Sequence, residues 1–320
     1  MKVLVVGGAG YVGSPLVYRL WQDGHDITVL DLLLFGGESI VPLQGRVRFR
    51  LVAGDLRDDA LAAELMPGHD AVVLLGAIVG EPACNRDPED ALSTNLHGTR
   101  TILNAAVKTR VPRFLFVSTC SNYGISDGET PVTETAPLKP ISTYSETKVS
   151  AENDVIAAAE LNFHPTVLRL ATAFGLSPRM RFDLLISDFT SAAVRERKII
   201  IYGEQFWRPY VHVADIADAI VKVLEADDRV VSGEVFNVGS NSNNMRKIDV
   251  GHAVQELVPE TELEFVKRND DPRSYRVDFT KFRNALSFET TWSVRDGIQE
   301  VADALQSGLF RDPTADRYRN

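Results

Sequence analysis

The chain has 320 residues, 44% hydrophobic and 24% charged, the make-up of a globular enzyme that buries a full core without staples. A net charge of −10 excludes a protein that holds nucleic acid by general electrostatics, which needs clustered Lys and Arg to release counterions, so an anionic substrate would need local arginines. Two cysteines, Cys84 and Cys120, are too few and too far apart for a disulfide framework or a CxxC metal site, which predicts free thiols, no bound metal and a reducing, cytoplasmic setting.

The first element is a strand at Val3 to Val6, too short for a secretory core, which runs into Gly7, Gly8, Ala9, Gly10, Tyr11, Val12, Gly13. A helix over Tyr11 to Gln22 follows, then strands at Asp26 to Leu30 and Arg48 to Val52 and a helix at Asp58 to Leu65. Next come a strand at Ala71 to Leu75, a helix at Glu89 to Lys108, a strand at Phe114 to Ser118, a helix at Tyr144 to Asn162 and a strand at Thr166 to Leu170. The longest apolar run, Ala71 to Val79, is about half of the ~20 residues a spanning helix needs, so no membrane anchor is expected. Short β-branched runs alternating with amphipathic stretches predict βαβ units, and runs apolar on both sides predict strands buried on both faces. The fold expected is α/β, a doubly wound parallel sheet of Rossmann type. After Gly175 the alternation lapses through Ser177, Pro178, Arg179, Met180 and Arg181, then resumes as a helix from Leu184 to Arg197. Phe236 to Val238 reads as one more strand of the sheet. Residues 1–172, with that returning strand near 236–238, would form the main domain, and 173–320 a smaller interleaved C-terminal domain. The polar tail from Gly308 to Asn320 is expected to fray.

Glycines at a strand-to-helix junction allow a tight turn, backbone approach to a pyrophosphate and close helix packing, while the helix N-terminus supplies N–H groups and partial positive charge. The run fits GxGxxG at Gly8, Gly10, Gly13 and GxxGxxG at Gly7, Gly10, Gly13, with Tyr11 and Val12 inside the same cofactor-contacting loop. Asp31, closing the second strand, stands where a carboxylate accepts hydrogen bonds from the adenosine ribose. It would repel the extra phosphate of NADP, and Leu32, Leu33 and Leu34 offer no arginine for one, so NAD is the cofactor expected. Asp55, followed by Leu56 after the third strand, is placed to contact the adenine or, equally, to cap its loop.

Tyr144 and Lys148, four apart in the first turn of a helix, share one face. An ammonium near a phenol stabilises the phenolate, which makes Tyr144 a general acid/base near neutral pH, and Lys148 can also hold the nicotinamide ribose. Any helix can carry such a pair by chance. Here, however, the preceding strand ends in Ser118, Thr119, Cys120, Ser121, and ligands of open α/β sheets bind outside the carboxyl ends of the strands. A hydroxyl there can bond the substrate oxygen that Tyr144 handles while the nicotinamide takes hydride from the carbon.

Together these residues resemble the extended short-chain dehydrogenase/reductases, especially the nucleotide-sugar epimerases, dehydratases and reductases, over nearly the whole chain. Gly7, Gly10 and Gly13 match the family's cofactor loop; Asn95, Gly98 and Thr99 its NxxGT helix; Tyr144 and Lys148 its YxxxK pair. The resemblance makes Thr119, Tyr144 and Lys148 the catalytic set and counts Asn95 among the cofactor contacts. It gives Arg208, in Arg208, Pro209, Tyr210, Val211, His212, Val213, Ala214, Asp215, to the substrate phosphate, with either Arg268 or Arg273 as the second such arginine. Bidentate guanidinium suits a diphosphate. His212 and Asp215 are expected to shape the turn and cap the next helix.

The chain also departs from the pattern. Where the dehydratases carry an acidic pair after the catalytic Thr, Cys120 and Ser121 stand, which speaks against dehydration by that route; both are counted as substrate contacts. Cys120 is out of register with the acid/base cysteine of the 3,5-epimerases, which favours a packed thiol. Leu74 replaces a frequent histidine. Thr172 replaces a frequent asparagine among the nucleotide contacts, which leaves dTDP, GDP and CDP open beside UDP. Cys84 and Glu81 are placed to line the sugar pocket or simply to pack their loop. The resemblance implies an NAD-dependent nucleotide-sugar 4-epimerase working through a transient 4-keto sugar, with a 4-ketoreductase or dehydrogenase of net redox as the alternative and a non-catalytic NAD-binding interaction protein as the third reading. It also implies a homodimer formed through the two long helices.

Overall fold

Val3 and Val5 point to one side of β1 (Lys2–Val6), Leu4 and Val6 to the other, and all four are buried. A strand apolar on both faces has to be covered on both. The computed structural model, which describes residues 1–126, 130–267 and 273–320, shows how this is done. β1 is followed by α1 (Gly13–Gln22), β2 (Asp26–Asp31), β3 (Phe49–Ala53), α2 (Asp59–Leu65), β4 (Ala71–Leu74), α3 (Glu81–Arg86), α4 (Pro88–Leu92), α5 (Gly98–Thr109), β5 (Arg113–Thr119), α6 (Thr143–Ala157) and β6 (His164–Leu170). The chain then runs through β7 (Thr172–Phe174), α7 (Leu185–Glu196), β8 (Lys198–Tyr202), β9 (Trp207–His212), α8 (Val213–Glu225) and α9 (Asp228–Val231). It returns as β10 (Glu234–Val238) and finishes with β11 (Asn244–Arg246), α10 (Lys247–Leu257), β12 (Glu262–Val266), α11 (Thr280–Leu286) and α12 (Val294–Gln306).

The main sheet has seven strands in the order β3-β2-β1-β4-β5-β6-β10, every pairing parallel. On one face Leu16, Val17 and Leu20 of α1 and Ile216 and Ile220 of α8 cover Val3, Val5, Val73 and Leu115. On the other, Leu65 of α2, Ile102 of α5 and Ala151 and Val155 of α6 cover Leu4, Val6, Val72 and Phe114. This is the doubly wound Rossmann-type arrangement. The order of strands reverses between β1 and β4, and the crevice beyond their carboxyl ends is where such sheets bind ligands. Two small sheets, β7-β9-β11 and β8-β12, with α7, α10 and α12, bury a separate core around Phe174, Ile186, Ile199, Tyr210, Val254 and Ile298. Tyr11 of the glycine loop, Met180, Phe182, Val213 and Val301 join the two cores.

Three expectations change. The helix expected over Glu89 to Lys108 is broken into α4, a π-turn at Ser93–His97 and α5. The helix expected to reach Asn162 stops at Ala157, because Glu160 and Phe163 close a turn through two backbone bonds of 3.1 and 3.2 Å. The tail does not hang free: Phe310 and Tyr318 pack edge-on against Phe182 at 5.1 and 5.5 Å, and the Phe182 amide donates to the Tyr318 carbonyl. Two aromatic rings among polar residues are enough to dock it. Among the described residues no helix is long and apolar enough to cross a membrane.

Candidate active site

The glycines after β1 are required for different reasons. Gly7 has φ +87°, and a Cβ on it would lie 2.5 Å from the Gly76 amide. A Cβ on Gly13 would fall on the carbonyl of Gly7, so α1 sits directly on the loop. A Cβ on Gly10 would meet only the Gly7 carbonyl, at an ordinary 3.5 Å. Among the described residues nothing demands glycine there, which leaves the approach of a ligand as the reason. α1 begins with neither a side-chain cap nor an acidic residue in its first turn; the Ser14 amide bonds the Gly10 carbonyl at 2.9 Å and Pro15 has no N–H, so the Gly13 amide and the positive end of the helix face an anion. Beside them the Asp31 carboxylate accepts the amides of Ala9 (2.9 Å) and Leu33 (2.8 Å), while burial pushes its pKa up. Ligand hydroxyls donating to it would offset that desolvation. The groove therefore fits a dinucleotide.

Other expected cofactor contacts need correction. The Tyr11 side chain turns away from the groove, its hydroxyl donating to the Gly175 carbonyl at 2.7 Å, so only its backbone, with that of Val12 at the helix cap, is left to a ligand. Asp55 caps its own loop, accepting the Arg57 amide (2.9 Å) and pairing with the Arg57 guanidinium (2.6 Å), which pulls its pKa down. Leu56 packs where Gly98 leaves no room for a Cβ. Asn95, fully buried in the π-turn, accepts the Ile78 amide (2.8 Å) and donates to the Ile78 carbonyl (3.0 Å). It staples the loop after β4 and so shapes the crevice wall.

A capping box between Ser142 and Ser145 fixes the first turn of α6, which carries Tyr144. Lys148, one turn on and only 3% exposed, donates to the Val117 carbonyl at 2.9 Å and lies 4.7 Å from the centre of the Phe116 ring. Burial brings its pKa down to about 8, against the opposing pull of Glu152. Glu152 accepts Ser118 Oγ (2.5 Å) and Asn122 Nδ2 (2.7 Å) and pairs with Arg169 (2.7 Å), both side chains buried. Arg169 in turn donates to the Tyr123 hydroxyl (3.0 Å), which donates to Asn237 (2.7 Å). This network ties α6 to β5, β6 and β10. Its one sign in the sequence is a charged residue in the apolar run of β6.

Burial raises the pKa of the Tyr144 phenol; Cys84 and Tyr275 raise it further, while the cations Arg181 and Arg273 oppose them. Lys148, one turn further along the same helix, holds its ammonium on the Val117 carbonyl at the end of β5. Thr119 accepts the Ser121 amide (3.1 Å), and the two hydroxyls lie 3.0 Å apart at the end of β5. Cys120 between them is 0% exposed and donates to the Arg169 carbonyl at 3.2 Å. Burial pushes its thiol far up, and as a substrate contact it is withdrawn.

Across the crevice Arg208, buried, donates to the carbonyls of Trp207 (2.9 Å) and Arg273 and lies 5.6 Å from the Tyr275 ring centre. Arg273 reaches to 3.7 Å from Glu81. The fold thus brings Arg208 and Arg273 together, whereas Arg268 lies outside the described residues. Thr172, half-buried, pairs with Tyr210 across β7 and β9. Cys84 is buried under the same wall, donates to the Ile78 carbonyl (3.4 Å) and has its thiol pushed up to about 11 by burial. Arg181 was not anticipated. It forks onto Asp183 at 2.9 and 2.6 Å, and acts on both Tyr144 and Tyr11. A pair of arginines flanking one buried methionine, Arg179-Met180-Arg181, was its signal. His212 caps α8 through Nδ1, accepting the Ala214 amide, and Asp215 accepts the amides of Thr291 and Trp292, so both shape turns.

The family model described as the NAD dependent epimerase/dehydratase family matches residues 3–239. A low-salt glycan biosynthesis protein of Haloferax volcanii is 34% identical over 312 residues, spanning 95% of this chain and 98% of its own length. The UDP-glucose 4-epimerase of Thermotoga maritima, solved with UDP-glucose, superposes with a TM-score of 0.86 at 26% identity, over 97% of this chain and 100% of that one. The dTDP-glucose 4,6-dehydratase of Bacillus anthracis, solved in complex with NAD, gives 0.85 at 26% identity, over 97% and 98%.

Proposed function

Because the chain belongs to the NAD-dependent epimerase/dehydratase family, we propose that it is a nucleotide-sugar 4-epimerase. The observation that carries this reading is the end of β5. Removal of water needs an acid and a base beside the reacting sugar, yet the residues after Thr119 are a thiol turned into the core and a serine hydroxyl. Glu152, behind them, is spent on Arg169, Ser118 and Asn122. Among the described residues the end of β5 carries no carboxylate pair for dehydration, and Tyr144 is the group suited to moving a proton at a sugar oxygen.

Residues 1–172 with β10 hold the dinucleotide, and most of 173–320 holds the sugar nucleotide. Bound NAD supplies the hydride acceptor and donor, and its positive ring favours the phenolate. Arg208 and Arg273 hold the substrate diphosphate by charge-assisted hydrogen bonds. Tyr144 takes the proton of the 4-hydroxyl and later returns it, with Arg181 and Arg273 easing the negative charge on the phenol. Thr119 and Ser121 offer hydroxyls to the same sugar oxygen. The 4-keto sugar turns its other face before hydride returns, so no external reductant is consumed.

UDP-, dTDP-, GDP- and CDP-sugars deuterated at C4, incubated without added NADH, test this. The 4-epimer should form with the label retained at C4. A product lighter by one water, or turnover only with stoichiometric NADH, would replace the reading with dehydration or net ketoreduction.

A further inference from the structure

Arg179 has no part in the chemistry above. It is 7% exposed; its Nη2 donates to the Arg319 carbonyl (3.0 Å) and to Asn320 Oδ1 (2.9 Å), while its Nε is buried without a partner. Among the described residues it forms no ion pair. Asp183, the carboxylate that acts on it, is engaged by Arg181 at 2.6 Å. Burial, and then the charge of Arg181, bring its pKa down to about 10, which still leaves a cation at neutral pH. A buried guanidinium with no counter-ion is costly, and the missing partner is an anion.

The neighbourhood says which anion. The segment carrying Arg179 is pinned to the glycine loop: the Tyr11 hydroxyl donates to Gly175, Ser177 Oγ donates to the Tyr11 carbonyl at 2.7 Å, and Ser177 lies 3.2 Å from Ser14 of α1. Two residues beyond Ser177, the guanidinium of Arg179 sits 4.0 Å from the centre of the Phe35 ring. Phe35 lies on the loop that leaves Asp31, and Ser39 of that loop donates to the Ala9 carbonyl at 2.7 Å. Arg179 therefore spans the interval from the first turn of α1 to the ribose side of the groove. A substrate diphosphate held by Arg208 and Arg273 belongs to the other wall.

We propose that Arg179 is a ligand of the diphosphate of the bound dinucleotide, reaching it from the segment pinned beside the glycine loop, with Arg319 and Asn320 holding the guanidinium in place. The proposal rests on the NAD reading above. Its physical content is an arginine that is a liability in the free protein and an asset in the complex.

Calorimetric titration of wild type, Arg179→Met and Arg179→Lys with NAD, ADP, adenosine, UDP and dTDP tests it, with melting temperatures taken alongside. Arg179→Met should weaken NAD and ADP about ten- to a hundredfold, the range of a lost charge-assisted hydrogen bond, and leave adenosine, UDP and dTDP unchanged. Its ligand-free melting temperature should equal or exceed that of wild type, while the rise produced by NAD shrinks. NAD and ADP affinities within twofold of wild type, a loss confined to UDP and dTDP, or a lower ligand-free melting temperature would each overturn it. Failure of Arg179→Met to fold counts with a lowered melting temperature against the proposal; Arg179→Lys, which keeps the charge, must also weaken ADP more than adenosine, and equal effects sink the assignment. Failure of the wild type itself to bind NAD would instead strike the cofactor reading.

Discussion

The two walls of the crevice are made of different material. The wall beneath the dinucleotide is backbone: Gly7, Gly10 and Gly13, the N-terminal end of α1 without a side-chain cap, and one carboxylate, Asp31, pinned by two amides. The facing wall is side chains and cationic, with Arg181, Arg208 and Arg273 gathered around Tyr144 and Tyr275, and Asp183 and Glu81 as their counter-ions. A backbone wall is altered only by adding atoms to it, whereas a cationic wall trades internal carboxylates for ligand phosphate. Three arginines of a chain with net charge −10 thus stand on one side of one cleft.

Substitutions can break this contrast or sharpen it. The largest effect is expected on the cationic wall: Tyr144→Phe should lower turnover by roughly 10²- to 10⁴-fold and leave NAD affinity unchanged. Epimerisation surviving that change would remove Tyr144 from the chemistry. Between the walls, Glu152→Gln strands the buried guanidinium of Arg169 and should cost about 3–5 kcal/mol of unfolding free energy, read from denaturant midpoints. A loss below one kcal/mol would mean that water reaches the pair. On the backbone wall Gly10→Ala should weaken NAD by about tenfold, the effect of a methyl where the pyrophosphate approaches, without moving the ligand-free melting temperature. Gly13→Ala, which collides with the Gly7 carbonyl, should lower both.

A smaller effect concerns pH. Lys148 has a folded pKa of about 8 against 10.5 for the free side chain, so between those values the unfolded chain binds more protons than the folded one. Stability contributed by this group therefore rises with pH across that window, as the cost of burying the ammonium disappears. Relative to Lys148→Met, the ligand-free wild type should gain stability from pH 8 to 10; a flat difference would show that the ammonium is not desolvated. Smallest of all, Cys120→Ala should keep activity within about twofold, as expected of a packed thiol. A large loss in KM or kcat would return Cys120 to the substrate.

What could be read from residue order is confined to constraints that act over a few residues. The glycine run, the carboxylate closing β2 and the four-residue spacing of Tyr144 and Lys148 are all set within one strand-turn-helix or one turn of helix. Asn95 shows the limit. A π-turn of one extra residue, invisible in the apolar periodicity, swings its amide onto Ile78.

Residue types and their period were enough to determine a parallel sheet buried on both faces and the glycine-lined turn after β1, because strand and helix periodicities are properties of the local backbone. Only the packing of distant elements decided that Lys148 faces Val117, that Cys120 turns inward, and that Arg179 and Arg181 flank the crevice, because the direction and charge environment of a side chain depend on what the rest of the chain places against it.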